Sequence, residues 1–97
     1  MEKINAQLKD IVDREPMQPL AYLASLMDEC GELSRAMLVE SGDDLRHQND
    51  EPAYMEAIDV AACALAMYMK LGGEAENAEE LLSGKLRKWQ NALPEVK

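Results

Sequence analysis

The feature that most constrains this chain is a run of ten residues, 60–69, in which every side chain is apolar (VAACALAMYM). Such a run is too short to cross a bilayer, which takes about 20 residues. A helix that is apolar on all sides has to be covered on all sides, so the run predicts a helix buried in protein. A chain of 97 residues has few other elements to cover it. We therefore expect this helix to lie at a subunit contact, where a two-fold partner offers the same surface.

The rest of the sequence also has the periodicity of helices. Apolar residues three and four apart predict a first helix at about 2–14, a second at about 19–40, a third from 49–52 to Leu71 and a fourth at about 75–93. Proline near the helix starts and glycine after the helix ends support these limits. No strand pattern or internal repeat is visible. The sequence predicts a single domain, 1–97, with an all-α fold: an antiparallel bundle of about four helices, completed by oligomerisation.

Composition limits the classes of partner and the compartment. Asp and Glu number 19 against 10 Lys and Arg, and the net charge of −9 disfavours nonspecific binding to nucleic acid or to an anionic membrane. The amino terminus lacks a basic segment followed by an apolar run, so we expect no signal peptide and a cytoplasmic protein. Cys30 and Cys63 lack the paired spacing of a zinc site or a redox motif, and we interpret them as reduced core residues.

Four carboxylates stand out because they form two short spacings inside apolar helical sequence. Glu29 and Glu32 lie in the second predicted helix, and Glu56 and Asp59 lie in the third. Residues three apart are about 60° apart around a helix, so each pair projects from one face. Unpaired charges are costly to bury, and protons, water or a cation must compensate them.

The two pairs can meet if the second and third helices form a hairpin. Antiparallel helices joined by a short loop would bring the pairs within roughly one turn of each other along the axis. The donors are all oxygen, which favours Mg²⁺ or Mn²⁺ over zinc or copper. A ferritin-like di-iron centre would need Glu-x-x-His pairs, and the sequence has none. His47, the one histidine, falls in the polar segment 41–51, where it is either solvated or in contact with a ligand.

The order and spacing of these residues resemble a known family. Asp28-Glu29-x-x-Glu32, 23 intervening residues and then Glu56-x-x-Asp59 are similar to the signature of the all-α nucleoside triphosphate pyrophosphohydrolases typified by MazG, over about residues 19–90. The resemblance implies a homodimer or homotetramer that binds Mg²⁺ through these carboxylates. Such enzymes cleave a nucleoside triphosphate to the monophosphate and pyrophosphate. Asp28 stands where the family usually has glutamate.

The resemblance also implies roles for a basic cluster on the last helix. Lys85 and Lys88 match the family's phosphate-contacting positions, while Ser83 replaces an asparagine often found there. The two lysines would steady the departing pyrophosphate, or else they form a solvated basic helix end. Trp89 is interpreted as a core residue, with base stacking as the alternative.

The catalytic roles follow from what carboxylates can do in phosphoryl transfer. We assign metal binding to Glu29, Glu32, Glu56 and Asp59, and one of them or Asp28 would accept the proton of the attacking water. Two alternatives remain. One is a phosphoribosyl-ATP pyrophosphatase, whose Gly-Glu-Glu helix motif is not matched by residues 30–33. The other is a non-catalytic helical interaction module with solvated carboxylates.

Overall fold

A computed structural model describes residues 1–42 and 51–95 of the chain. These residues form four α-helices and no strand: α1 (Glu2–Arg14), α2 (Pro19–Glu40), α3 (Ala53–Lys70) and α4 (Ala75–Ala92). The all-α prediction is confirmed, and each helix begins and ends close to the predicted limits. The interpretation of His47 lies outside the described residues.

Proline and glycine define the ends of the helices as the sequence predicts. Pro19 is the first residue of α2, where its missing N–H breaks no hydrogen bond of the helix. Gly42 follows the end of α2 with φ of +82°, and Gly72 follows the end of α3 with φ of +107°. Both angles are in the left-handed region that glycine adopts without steric cost, so each glycine lets the chain leave its helix.

Helices α2 and α3 pack against each other and run antiparallel. Near the start of α2, the backbone carbonyl of Tyr22 accepts a hydrogen bond from Sγ of Cys63 at 3.6 Å. At the opposite end, the carboxylate of Glu40 accepts a hydrogen bond from the backbone N–H of Ala53, the first residue of α3. The end of α2 therefore lies beside the start of α3, as the hairpin requires.

Helix α1 packs across α3 and α4. Its apolar side buries Leu8. Just beyond its end, the carbonyl of Glu15 accepts a hydrogen bond from Nζ of Lys70 at 2.9 Å. Lys9 also forms an ion pair with Glu76 of α4. Because both partners of that pair are exposed, the burial of Leu8 contributes more to the position of α1 than the ion pair does.

The core within one chain is small. Six apolar residues are buried among those that the structure describes, and four of them are alanines: Leu8, Tyr22, Ala36, Ala66, Ala75 and Ala78. Ala66, in the apolar run of residues 60–69, is thus covered within the chain. Both cysteines are free; Cys63 is half-buried, whereas Cys30 is exposed, so the prediction that Cys30 is a core residue is wrong.

Leu82, Leu86 and Trp89 form an apolar stripe on α4, and this stripe is exposed. Trp89 is 66% exposed, and so the prediction that it packs in the core is wrong for the single chain. The physical reason is that α4 stands away from α3. A groove of about 330 Å³ separates them and is lined by Leu65 and Tyr68 on one side and Leu81 and Leu82 on the other.

Helix α3 is covered on only part of its circumference. Ala61 and Ala62 are exposed, and a second groove of about 640 Å³ lies between α3 and α1. The accessible surface of the chain is 7697 Å², compared with about 5500 Å² expected of a folded monomer of this mass. The radius of gyration of 16.1 Å likewise exceeds the roughly 12.5 Å of a compact domain of this length. The single chain therefore leaves apolar surface that packing within it does not remove.

None of the helices in the described part of the chain is long and apolar enough to cross a membrane.

Candidate metal centre

The α2–α3 hairpin brings the predicted carboxylates together. One carboxylate oxygen from each of Glu29, Glu32 and Glu56 lies within 4.8 Å of the others. Oxygens of Glu51, Glu56 and Asp59 form a second group with the same limit of 4.8 Å. We call these five residues the acidic cluster. It contains all four residues that the sequence predicts as metal ligands, and Glu56 belongs to both groups.

The register of the hairpin explains why the carboxylates meet. The contact of Tyr22 with Cys63 and the contact of Glu40 with Ala53 fix the alignment of α2 and α3 at two positions along the helix axes. The helical segments that carry the acidic pairs lie between those two contacts. The spacing of three residues within each pair then places both members on the side of the helix that faces its neighbour.

Two oxygens of the cluster are buried without a partner. Glu56 is only 9% exposed and Glu29 is half-buried. The Oε2 atom of each is buried and accepts no hydrogen bond within the described residues. Nor does any ion pair of the described residues involve the cluster. A buried carboxylate in this state is unfavourable, so a proton or a bound cation has to compensate it.

The surroundings raise the pKa of Glu29 and of Glu56. For Glu29, burial is the largest cause, followed by the negative charges of Glu32 and Asp59. For Glu56, burial is again the largest cause, followed by the same two charges and then by Glu51. Without a cation, both carboxyls therefore hold their protons to a higher pH than an ordinary glutamate does. A divalent cation would compete with those protons for the same oxygens.

The donor set fits Mg²⁺ or Mn²⁺. All the donors in the cluster are carboxylate oxygens, which hard divalent cations prefer. The nearest thiol on α3, that of Cys63, donates to the carbonyl of Tyr22, and burial raises its pKa. This thiol belongs to neither group of donors. A cation between the two helices would satisfy the unpartnered oxygens of Glu29 and Glu56.

Three other residues singled out in the sequence lie apart from the cluster. Asp28 is exposed and belongs to neither group of oxygens, although its charge contributes to the raised pKa of Glu29. Lys85 lines the groove between α3 and α4, and Lys88 is exposed. No ion pair among the described residues joins either lysine to the cluster.

Glu51 is the cluster member that the sequence does not predict. It is the last residue of the polar segment 41–51, where periodicity does not show which way a side chain points. The signal that could have found it is its position: a carboxylate two residues before the start of α3, the helix that carries Glu56 and Asp59. Comparisons of the chain with protein-family models, with curated proteins and with solved structures found no match.

Proposed function

We propose that the chain is a nucleoside triphosphate pyrophosphohydrolase that requires Mg²⁺ or Mn²⁺. The observation that carries this proposal is the meeting of two acidic helix faces around the buried, unpartnered oxygens of Glu29 and Glu56. The order and spacing of the carboxylates along the chain, which resemble those of the MazG-like family, support the choice of substrate and reaction.

The residues suit phosphoryl chemistry only together with a cation. A cluster of carboxylates alone repels a triphosphate, and the net charge of −9 adds to this repulsion. When bound, the divalent cation supplies positive charge to the phosphate oxygens and lowers the pKa of water. Glu29, Glu32, Glu56 and Asp59 would hold it. Their fixed positions on two packed helices provide the alignment on which phosphoryl transfer depends.

The reaction we assign is attack of water at the α-phosphorus. The water oxygen bonds to that phosphorus, and the bond to the oxygen that bridges the α and β phosphates breaks. Pyrophosphate leaves with the electron pair, and the nucleoside monophosphate remains. One of the cluster carboxylates or Asp28 accepts the proton of the attacking water.

Lys85 and Lys88 are proposed to steady the departing pyrophosphate. Both are exposed on α4 and are free to pair with a phosphate, because neither forms an ion pair with a described residue. If this role is correct, Lys85→Ala raises KM or lowers kcat. Unchanged kinetics would mean that the two lysines are only a basic surface at the end of α4.

We further propose that the active form is a homodimer or homotetramer, in which association completes the helical bundle. Support comes from the exposed stripe of α4 and from the two apolar grooves beside α3. The surface in excess of a compact monomer is larger than the roughly 800 Å² that each partner buries in a standard interface. The same exposed surface favours the second candidate, a non-catalytic interaction module.

The test is a panel of ribonucleoside and deoxyribonucleoside triphosphates, with products identified by phosphorus NMR. We expect the monophosphate and pyrophosphate in millimolar Mg²⁺ or Mn²⁺ and no turnover in EDTA. Glu29→Gln and Glu56→Gln should each lower activity by more than about tenfold, because loss of a group that only supports a metal ligand already costs about 10–100-fold. The matched control is Glu80→Gln, which removes an exposed carboxylate of α4 outside the cluster.

Two outcomes would contradict the proposal. Release of orthophosphate and a diphosphate would mean attack at the γ-phosphorus. Absence of hydrolysis with every nucleotide, under conditions in which the protein is folded and associated, would favour the interaction module.

A further inference from the structure

Helix α2 carries a largely apolar stripe that packing among the described residues leaves open. Its members follow the alternating spacing of three and four residues that is typical of a coiled-coil seam, and each is exposed: Leu20, Leu23, Met27, Cys30, Ser34, Met37 and Ser41. We call these residues the α2 stripe. Met27 is 67% exposed and Met37 is 58% exposed, so the stripe is open on both sides of Cys30.

The α2 stripe is separate from the surface of α2 that packs on α3. Tyr22 and Ala36 are buried and Glu29 is half-buried, and these three residues are seven apart. In each case the next residue of the chain belongs to the α2 stripe and is turned by about 100° around the helix. A second helix can therefore cover the stripe without displacing α3 or the acidic cluster.

The α2 stripe has nearly the same spacing when it is read from either end. Its members lie 3, 7 and 10 residues before Cys30 and 4, 7 and 11 residues after it. In an antiparallel pair of such helices, Cys30 lies opposite its own copy and Leu23 lies opposite Met37. A two-fold interface requires this self-complementarity, because residue i contacts residue j and j contacts i. The stripe therefore fits a second copy of this chain.

The charges beside the α2 stripe favour the antiparallel arrangement. Asp28 and Arg35 are both exposed on one flank of the stripe, and no ion pair of the described residues includes either of them. Antiparallel pairing about Cys30 brings Asp28 of each chain within about 4 Å, along the helix axis, of Arg35 of the partner subunit. Parallel pairing would instead place each residue level with its own copy, so that like charges repel.

We propose that α2 of one chain packs antiparallel on α2 of a second copy, about a two-fold axis at Cys30. The accessible surface of the chain exceeds that of a compact monomer by about 2200 Å², and a standard interface buries roughly 800 Å² of each partner. A contact through α4 thus leaves enough surface for this one. The inference goes beyond the proposed function, since the pairing of the stripe needs no cation and no nucleotide.

The position of the α2 stripe also bears on the number of subunits. A two-fold contact through α2 and a different two-fold contact through α4 together join four chains. The assembly is then a homotetramer and not a homodimer. This step alone rests on the association through α4 proposed above.

The experiment is disulfide crosslinking of the full chain with Cys63→Ser, in which Cys30 is the remaining thiol. Diamide oxidises two adjacent thiols to a disulfide, and we expect a covalent dimer of twice 10.8 kDa. Thiols that the pairing holds side by side react without waiting for a collision between chains. Met27→Glu, added to Cys63→Ser, should slow the reaction more than about tenfold, because it places a charge in the seam and separates the chains.

The matched control moves the thiol along the same stripe. It carries Leu23→Cys, Cys30→Ser and Cys63→Ser. Because position 23 is seven residues from the two-fold axis, its two thiols lie about 21 Å apart in the antiparallel pair. Crosslinking of the control should be more than about tenfold slower than crosslinking through Cys30.

Each other outcome overturns the assignment. Equal rates for Cys30 and for the control thiol would mean parallel pairing or random collision. A Cys30 thiol that forms no crosslink does not lie at a two-fold axis, and an unchanged rate with Met27→Glu means that the stripe is not the contact.

A second measurement covers a loss of folding in Cys63→Ser. If this variant does not retain the helical circular dichroism of the wild type, peptide mapping of the oxidised wild type decides. A link between two copies of Cys30 supports the interface, and its absence overturns it. All these measurements are made in EDTA without nucleotide, so their failure is distinct from a failure of the proposed hydrolysis.

Discussion

At the scale of single residues, Glu29 and Glu56 are held where a negative charge is unfavourable. Each has a buried oxygen without a hydrogen-bond partner, and each faces other carboxylates. If the two charges had no function, glutamine or an apolar residue at both positions would give a more stable fold than glutamate does. The two residues do not stabilise the cation-free fold, and this supports the proposed binding of a cation.

The raised pKa values predict how stability depends on pH in the absence of divalent cations. Between the pKa of an unfolded glutamate and the raised pKa in the folded chain, the folded state binds more protons than the unfolded state. The free energy of unfolding should thus be highest below that range and fall as pH rises through it. Urea unfolding in EDTA, from mildly acidic to mildly alkaline pH, measures this slope.

The control for the pH prediction is the double variant Glu29→Gln, Glu56→Gln. It should flatten the slope, because amides do not titrate. An identical slope in the double variant would show that the dependence comes from the general acidic character of the chain and not from the cluster.

Four of the five cluster residues could be predicted from the sequence. Glu29, Glu32, Glu56 and Asp59 have helical spacing within apolar sequence, and two facing helices bring such pairs together. Glu51 could not be predicted in the same way. It precedes α3, so helical periodicity does not determine where its side chain lies.

At the scale of the helices, the first and last residues of each helix could be predicted from the sequence. The surfaces that pack against its apolar face could not. Proline and glycine mark the ends of α2 and α3, and the structure confirms those ends. The stripe that includes Leu86 and Trp89 correctly predicted that α4 is helical. However, periodicity shows only that a helix has an apolar face and not which surface covers that face. The exposure of Trp89 in the single chain is the consequence.

Gly31 provides a prediction at this scale. It lies in the interior of α2, and apart from the adjoining residues and backbone of its own helix, no atom of the described residues is within 4 Å of the position that a Cβ would occupy. Gly31→Ala should therefore stabilise the fold by about 0.5–1 kcal/mol, because alanine restricts the unfolded chain and favours the helix. Chemical unfolding at fixed protein concentration measures the change.

The contrasting control is Gly72→Ala. Gly72 has φ of +107°, so alanine there should destabilise the fold. A loss of stability in Gly31→Ala would show that a partner chain approaches α2 at Gly31, a contact that a single chain does not contain.

At the scale of the whole molecule, the expanded shape and the exposed apolar stripe predict association. Sedimentation equilibrium at micromolar concentration should give a multiple of 10.8 kDa. Leu86→Glu, which introduces a charge into the exposed stripe of α4, should lower the measured mass or cause aggregation. A well-folded wild-type monomer of 10.8 kDa would mean that the exposed stripe and the grooves beside α3 need no partner chain.

The measurement that tests the central claim most directly is the melting temperature of wild type and Glu56→Gln, each in EDTA and in millimolar Mg²⁺. A cation present at a hundredfold excess over its Kd adds about 2.7 kcal/mol, enough to raise the wild-type melting temperature by roughly 10 °C or more. In EDTA, Glu56→Gln should melt at or above the wild type, since it lacks the buried unpaired charge. In Mg²⁺ the order should reverse, because the variant gains little. Equal curves for the wild type with and without Mg²⁺, or an equal Mg²⁺ shift in Glu56→Gln, would contradict a cation centre built around Glu56.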